Sequence, residues 1–371
     1  MTRICALYQP SNIARLARAK GYPYARPSSS FLYISGSVYL FEDAAWGGTQ
    51  HLGSLQITAP DGTQQRAQTV LEQLGIQWSP TDIRTPVLAV GSNAGPEQLL
   101  RKYPPMLFRD GVLIPVVRCV LPNFDVAYSP CITSYGSCSA TLEYSPGTAV
   151  EIFVTFLTTP QLKRMHETEG AYFLTELRQV ELQLGQEGKE AAALLCTVYQ
   201  YNHQSGTLHL PLGDGAPTPV AIKEIRAEGR KFPALDQTEM QHAVRTFVTK
   251  LEKTNTAPLP INGAQVQNGT AVSQAAAVTS AGNGSVPTAH EETRLPFNSG
   301  RTAQAPDALK LGSNDSQGDE ASIDAWILEN LDIIKARTER VEFLVAAAKP
   351  QQYPHVDVLM TIGDIYDVSV A

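Results

Sequence analysis

Glu169 is the residue of this 371-residue chain whose type and position most call for a chemical explanation. It lies in TTPQLKRMHETEGAYF, running from Thr158 to Phe173. Thr159 suits an N-cap, Pro160 the first helical position and Gly170 a left-handed C-cap, so the spacing predicts a helix of about ten residues. Positions seven apart on a helix differ by only about 20° around its axis, which puts Glu169 on the apolar stripe of Leu162 and Met165. Lys163, Arg164 and Glu167 already supply a solvated face. A carboxylate on the stripe therefore needs a partner or a purpose. Burial there would raise a carboxyl from its usual pKa of about 4.3 toward the range of a working general acid or base. His166, three residues earlier, is in reach of Glu169, although an ordinary surface pair at that spacing is the simpler reading.

A second stretch, VLAVGSNAGPEQLL, reads as a strand, a turn at Gly91, Ser92 and Asn93, and a helix opened by Gly95 and Pro96. Small residues in such a turn present backbone N–H groups, and the helix start adds positive potential, so the turn can hold a carboxylate or an oxyanion. Other chemistries find less support. HETE (His166 to Glu169) offers a histidine and two acids on one helix, too few for a metal site, and no second His-rich segment exists. Cys131 and Cys138 have no base named beside them, and ITSYGSCSA lacks the Gly-x-Ser-x-Gly elbow. No metal and no cofactor is expected.

These residues must be positioned by a fold of mixed type. PVLAV (Pro86 to Val90) reads as a buried strand, PEQLLRKY as a short helix, and AVEIFVTFL (Ala149 to Leu157) as a strand leading into the Glu169 helix. YFLTELRQVELQL and AALLCTVYQY read as two more strands joined by QEGKE as a hairpin turn, and FPALDQTEMQHAVRTFVTKL as an amphipathic helix. SFLYISGSVYLF near the N-terminus has strand character. The first 41 residues carry Arg3, Arg15, Arg18, Lys20 and Arg26 and no acid, a composition that transit peptides share, but the strand pattern marks a folded segment. From Lys253 to Glu320 the chain turns to Asn, Gly, Ser, Thr, Ala, Gln and Pro, the composition of a disordered linker. Beyond it, ASIDAWILENLDIIKARTERVEFLVAAAK has a Ser322 cap and apolar residues Ile323, Trp326, Ile327, Leu331 and Ile334 at helical spacing, followed by HVDVLMTIGDIYDVSV as one or two strands.

The expected organisation is an N-terminal extension or subdomain over 1–80, a main domain over 81–252, the linker over 253–320, and a helix plus strand over 321–371 that docks on the main body. At 43% hydrophobic and 18% charged residues the composition is globular, and a net charge of −7 without a basic cluster excludes nucleic-acid phosphate as the main partner. Five cysteines without CxxC or repeated Cys/His spacing suit reduced thiols in a cytoplasmic setting. No apolar run approaches 18 residues, so no membrane span is expected.

Three short motifs in order, PVLAVGSNAGPEQLLRKY, CSATLEYSPGTAVEIFVTFLT and LKRMHETEGAYFLTELRQVEL, resemble the γ-glutamylcyclotransferase-like, or AIG2-like, superfamily. Its members carry Tyr-Gly-Ser-Asn at a strand end, an Ala-Thr-Ile/Leu segment with a Pro-Gly turn, and a Glu-Gly pair closing a short helix. The resemblance spans about residues 85–201 and implies an α+β fold, a compact mixed β-barrel with flanking helices. It implies cyclisation of a γ-glutamyl group or a related small amide to 5-oxoproline, with release of an amine and no cofactor. Glu169 would be the general acid/base, and Val90, Gly91, Ser92, Asn93 and Ala94 would bind the small-molecule substrate. Val90 and Ala94 depart from the aromatic and larger apolar residues usual at those places, so the pocket wall differs. A non-catalytic module for binding or regulation that keeps the same fold is the alternative.

Overall fold

In a computed structural model that describes residues 10–184, 193–213, 215–253 and 316–353, the two longest strands, LIPVVRCVLPNFDVAYSPCI and CSATLEYSPGTAVEIFVTFL, run through prolines and a Pro-Gly pair, and only the 149–157 part of the second reads as a strand from sequence. In chain order the elements are α1 (Asn12–Lys20), β1 (Phe31–Ile34), β2 (Ser37–Leu40), β3 (Gln56–Thr58), β4 (Gln64–Arg66), α2 (Ala67–Gln73), β5 (Thr85–Ala89), α3 (Pro96–Lys102), β6 (Leu113–Ile132), β7 (Cys138–Leu157), α4 (Thr159–Glu167), β8 (Tyr172–Leu184), β9 (Ala193–His203), β10 (Thr207–Leu210), α5 (Gln237–Lys253), α6 (Ser316–Asp332) and α7 (Ile334–Ala346). Short 3₁₀ turns and two-residue bridges lie between them.

β6 and β7 pair antiparallel, Val116 opposite Thr155 and Val126 opposite Leu142, with a bulge where Asn123 takes a positive φ. β7 pairs antiparallel with β5 through Leu88 and Val154, and β5 runs parallel to β9 at Val87 and Tyr199. β9 pairs antiparallel with β8, Leu177 facing Val198, and β8 returns to β6 at Leu184 and Cys119. The ring β6–β7–β5–β9–β8 therefore closes into a barrel, an arrangement that removes the exposed edges of an open sheet. This is the α+β fold with a mixed β-barrel and flanking helices that the sequence led us to expect. β1 lies antiparallel beside β6, Phe31 opposite Val116, so β1 to β4 extend the barrel's sheet rather than forming one of their own. The β1–β2 hairpin turns at Ser35 and Gly36, both with positive φ, which suits the right-handed twist of the strands.

The helix boundaries differ in detail from the sequence expectation. Thr158, not Thr159, caps α4: it forms a capping box with Gln161, satisfying two backbone donors at once. α4 ends at Glu167 through Thr168, and Gly170 does not take the left-handed conformation. The backbone instead leaves the helix by bonds from Thr168 N–H to the Met165 carbonyl and from Glu169 N–H to the His166 carbonyl, 3.0 and 3.1 Å. In the C-terminal part, α6 begins at Ser316, which puts Ser322 inside the helix rather than at its cap. The chain breaks at Ile333 between α6 and α7, so Ile323, Trp326 and Ile327 are buried while Ile334 faces solvent. α6 is tied to α1 by an ion pair from Arg15 to Asp332 and another from Lys20 to Asp324 at 2.5 Å. Most of the predicted linker, the QEGKE turn and the HVDVLMTIGDIYDVSV strands lie outside the described residues.

Two apolar clusters form the core. The larger fills the barrel and extends under α5 and α6. The smaller joins Leu99 and Tyr103 at α3, Met165 of α4, and Val87, Phe153, Leu174 and Tyr201 of the strands. Burying a side chain such as Leu99 or Met165 stabilises by about 1.5–3 kcal/mol, and this cluster fixes α3 and α4 side by side on the barrel wall.

Candidate functional site

The site begins where β5 ends. Val90 is buried, Gly91 turns the chain, and Ser92 to Ala94 make one 3₁₀ turn before Gly95 and Pro96 start α3. α3 carries Lys102 at its last position, and two bonds stitch this end to α4. The Arg164 Nε–H donates to the Lys102 carbonyl at 2.8 Å, and the Tyr103 hydroxyl donates to the Gln161 carbonyl at 2.9 Å.

This stitching brings the turn and Glu169 together. The Asn93 side-chain amide donates to Glu169 Oε1 at 3.0 Å, and the Lys102 ammonium forms an ion pair with the same oxygen. The ammonium also sits 3.1 Å from Met165 Sδ. The Lys102 side chain is 5% exposed and that of Glu169 12%. Glu169 thus lies two residues past the end of α4 and not on its apolar stripe, yet it has a partner, and the partner is a lysine the sequence did not single out. The one signal for it was spacing: Lys102 is three residues beyond fully buried Leu99, on the inner face of α3.

Five tyrosines, Tyr22, Tyr103, Tyr135, Tyr172 and Tyr201, surround the carboxylate. Burial pushes each phenol above its ordinary range, and the charge of Glu169 adds to the rise in all of them. His166 is buried, with its ring centroid 6.1 Å from that of Tyr201. Neither of its nitrogens has a hydrogen-bond partner among the described residues, so it is neither a surface residue nor bonded to Glu169.

The segment before β1 completes the site. A Cβ at Gly91 would lie 2.2 Å from the Tyr22 hydroxyl and 3.2 Å from Ala140 Cβ, so only glycine allows this approach. The Tyr22 hydroxyl accepts from the Ala140 N–H at 2.9 Å, and the Tyr172 hydroxyl lies 2.8 Å from Ser139 Oγ. The glycine turn, the Ser139–Ala140–Thr141 stretch and Glu169 therefore share one neighbourhood. Its innermost niche, between Gly91 and Ala140, is occupied by the chain's own Tyr22. Of the five turn positions singled out, Val90, Gly91, Ser92 and Ala94 are buried beneath this segment, and Asn93 alone reaches Glu169.

Among the described residues no three His, Cys, Asp or Glu side chains converge in a way that could hold a metal ion. Burial raises the thiols of Cys119, Cys131 and Cys138, the opposite of what an activated nucleophile needs. No described helix is long and apolar enough to cross a membrane.

No family model matches the chain, and no curated protein does. Similar solved structures include the human uncharacterized protein loc79017, 18% identical over 48% of this chain and 83% of that one, with a TM-score of 0.27. They also include a gamma-glutamyl cyclotransferase, 16% identical over 48% of this chain and 82% of that one, with a TM-score of 0.26.

Proposed function

We propose that this protein is a cofactor-free enzyme of γ-glutamylcyclotransferase type, closing a γ-glutamyl group or a related small amide into 5-oxoproline and releasing an amine. The observation that carries this reading is the bond between Glu169 and Asn93, which joins the acidic group of one sequence motif to the glycine turn of another. In the reaction Glu169 takes a proton from the substrate α-ammonium, the freed amine attacks the γ-carbonyl, and Glu169 delivers the proton to the leaving nitrogen. The paired Glu169 carboxylate and Lys102 ammonium also complement an α-amino acid in charge. The carboxylate suits its ammonium and the ammonium its carboxylate, so substrate would exchange one ion pair for two.

The second reading, a binding or regulatory module without turnover, is favoured by two contacts. Lys102 already occupies the carboxylate, and the Tyr22 hydroxyl already takes the Ala140 N–H. The two readings separate on 5-oxoproline release, measured by mass spectrometry with purified protein and a panel of γ-glutamyl amides and peptides. The enzyme reading expects release by wild type and a loss of about 100-fold or more in Glu169→Gln. No release from any substrate gives the site to the binding reading.

A further inference from the structure

A cavity of about 770 Å³ lies beside α1 and α3, lined by Arg15, Arg18, Tyr24, Arg101, Tyr135 and Leu331 among others. Neither Glu169 nor any of residues 90–94 lines it, but Tyr135, one of the tyrosines around Glu169, does, so it adjoins the site above without including its carboxylate or its glycine turn. Its volume falls within the range of small-molecule sites.

Two of its arginines lie against aromatic faces. The Arg18 guanidinium sits 4.6 Å from the centroid of Tyr135, and that of Arg101 5.5 Å from Tyr24. Stacking of this kind leaves the edge of a guanidinium, with its fork of N–H donors, free to meet an anion. The three cations differ in what already holds them. Arg101 is paired with Glu97, which also lines the cavity, and Arg15 with Asp332. Arg18 is half-buried beside the Tyr24 hydroxyl, has no carboxylate within ion-pair distance among the described residues, and its Nε is buried without a hydrogen-bond partner. A buried donor on an unneutralised cation is costly unless something polar arrives to meet it.

We propose that this cavity binds a small phosphorylated molecule carrying a flat ring. The phosphate meets the edge of Arg18, with Arg101 and Arg15 adding positive potential, and the ring lies beside the Arg18–Tyr135 and Arg101–Tyr24 stacks, on the guanidinium planes that cover those tyrosines. Guanidinium groups match phosphate oxygens two at a time, and their planes accept a flat ring.

The test is binding of phenyl phosphate to the full chain by isothermal titration calorimetry, with inorganic phosphate and benzyl alcohol as half-ligands, for wild type, Arg18→Gln and Lys335→Gln. Lys335 is exposed on α7 and controls for a uniform change of charge. Circular dichroism and a thermal melt establish that each variant folds. The expected result is binding of phenyl phosphate by wild type, weaker binding of inorganic phosphate, and a loss of at least about tenfold in Arg18→Gln with no change in Lys335→Gln. Binding should weaken as salt is raised. Absence of phenyl phosphate binding to wild type, or equal binding by folded Arg18→Gln, overturns the proposal. Equal affinity for inorganic phosphate overturns the part of it that concerns the ring.

Discussion

Removing one partner of the Lys102–Glu169 pair should destabilise the protein more than removing both. The two side chains are 5% and 12% exposed, so each charge is largely cut off from water and depends on the other. Breaking a buried ion pair from one side costs about 3–5 kcal/mol, because the surviving charge stays buried and uncompensated. The two single variants should not be equal. Glu169→Leu leaves an ammonium whose remaining contact is Met165 Sδ, and should reach the upper end of that range. Lys102→Met leaves a carboxylate that keeps the Asn93 amide and is somewhat more exposed, and should fall at the lower end. The double variant removes both charges and sets methionine beside Met165, leaving the Asn93 amide as the one polar group without its acceptor, a cost of about 1–3 kcal/mol. Additivity would predict a cost of roughly 6–10 kcal/mol for the double variant, so the coupling should amount to several kcal/mol. Urea unfolding of the four proteins, followed by far-ultraviolet circular dichroism and tryptophan fluorescence together, measures it. A coupling below about 1 kcal/mol would refute the reasoning, since that is what a solvent-screened surface pair gives.

Two further outcomes follow from the same neighbourhood. Gly91→Ala should cost about 1–3 kcal/mol, because its new Cβ falls 2.2 Å from the Tyr22 hydroxyl. Adding Tyr22→Phe should recover part of that loss, and if it instead adds to the loss in full, Tyr22 is not the obstacle. Burial lowers His203 from 6.5 to about 4, and its Nδ1 accepts from the Ser205 N–H at 3.1 Å, so the imidazole is neutral in the folded state. The folded pKa is the lower one, so between pH 6.5 and 4 the unfolded chain holds a proton the folded chain does not. Stability should fall by up to about 3 kcal/mol as pH drops through that window. Urea midpoints across it should vary more steeply in wild type than in His203→Gln, and equal slopes would show that other groups account for the acid sensitivity.

The sequence alone determined the type of several elements around the site. Strands at 86–90 and 149–157, the Pro96 helix start and the amphipathic α5 were legible because periodicity and turn residues act over a few positions, whereas β6 and the first half of β7, interrupted by prolines, were not. It also singled out Glu169, though by extending α4 over a residue that the structure places two positions beyond the helix end. What the sequence could not give was the partner. Lys102 and Glu169 are 67 residues apart, and the last turn of PEQLLRKY reads equally well as a solvated end, so only the docking of α3 against α4 decides that the ammonium is buried. Tyr22 is further out of reach. It precedes β1 and reaches Ala140, 118 residues away, because β1 pairs with β6 and draws the segment before it across the barrel. Local preference sets where helices and strands form, but which polar groups face one another in the low-dielectric interior is settled only when the barrel closes.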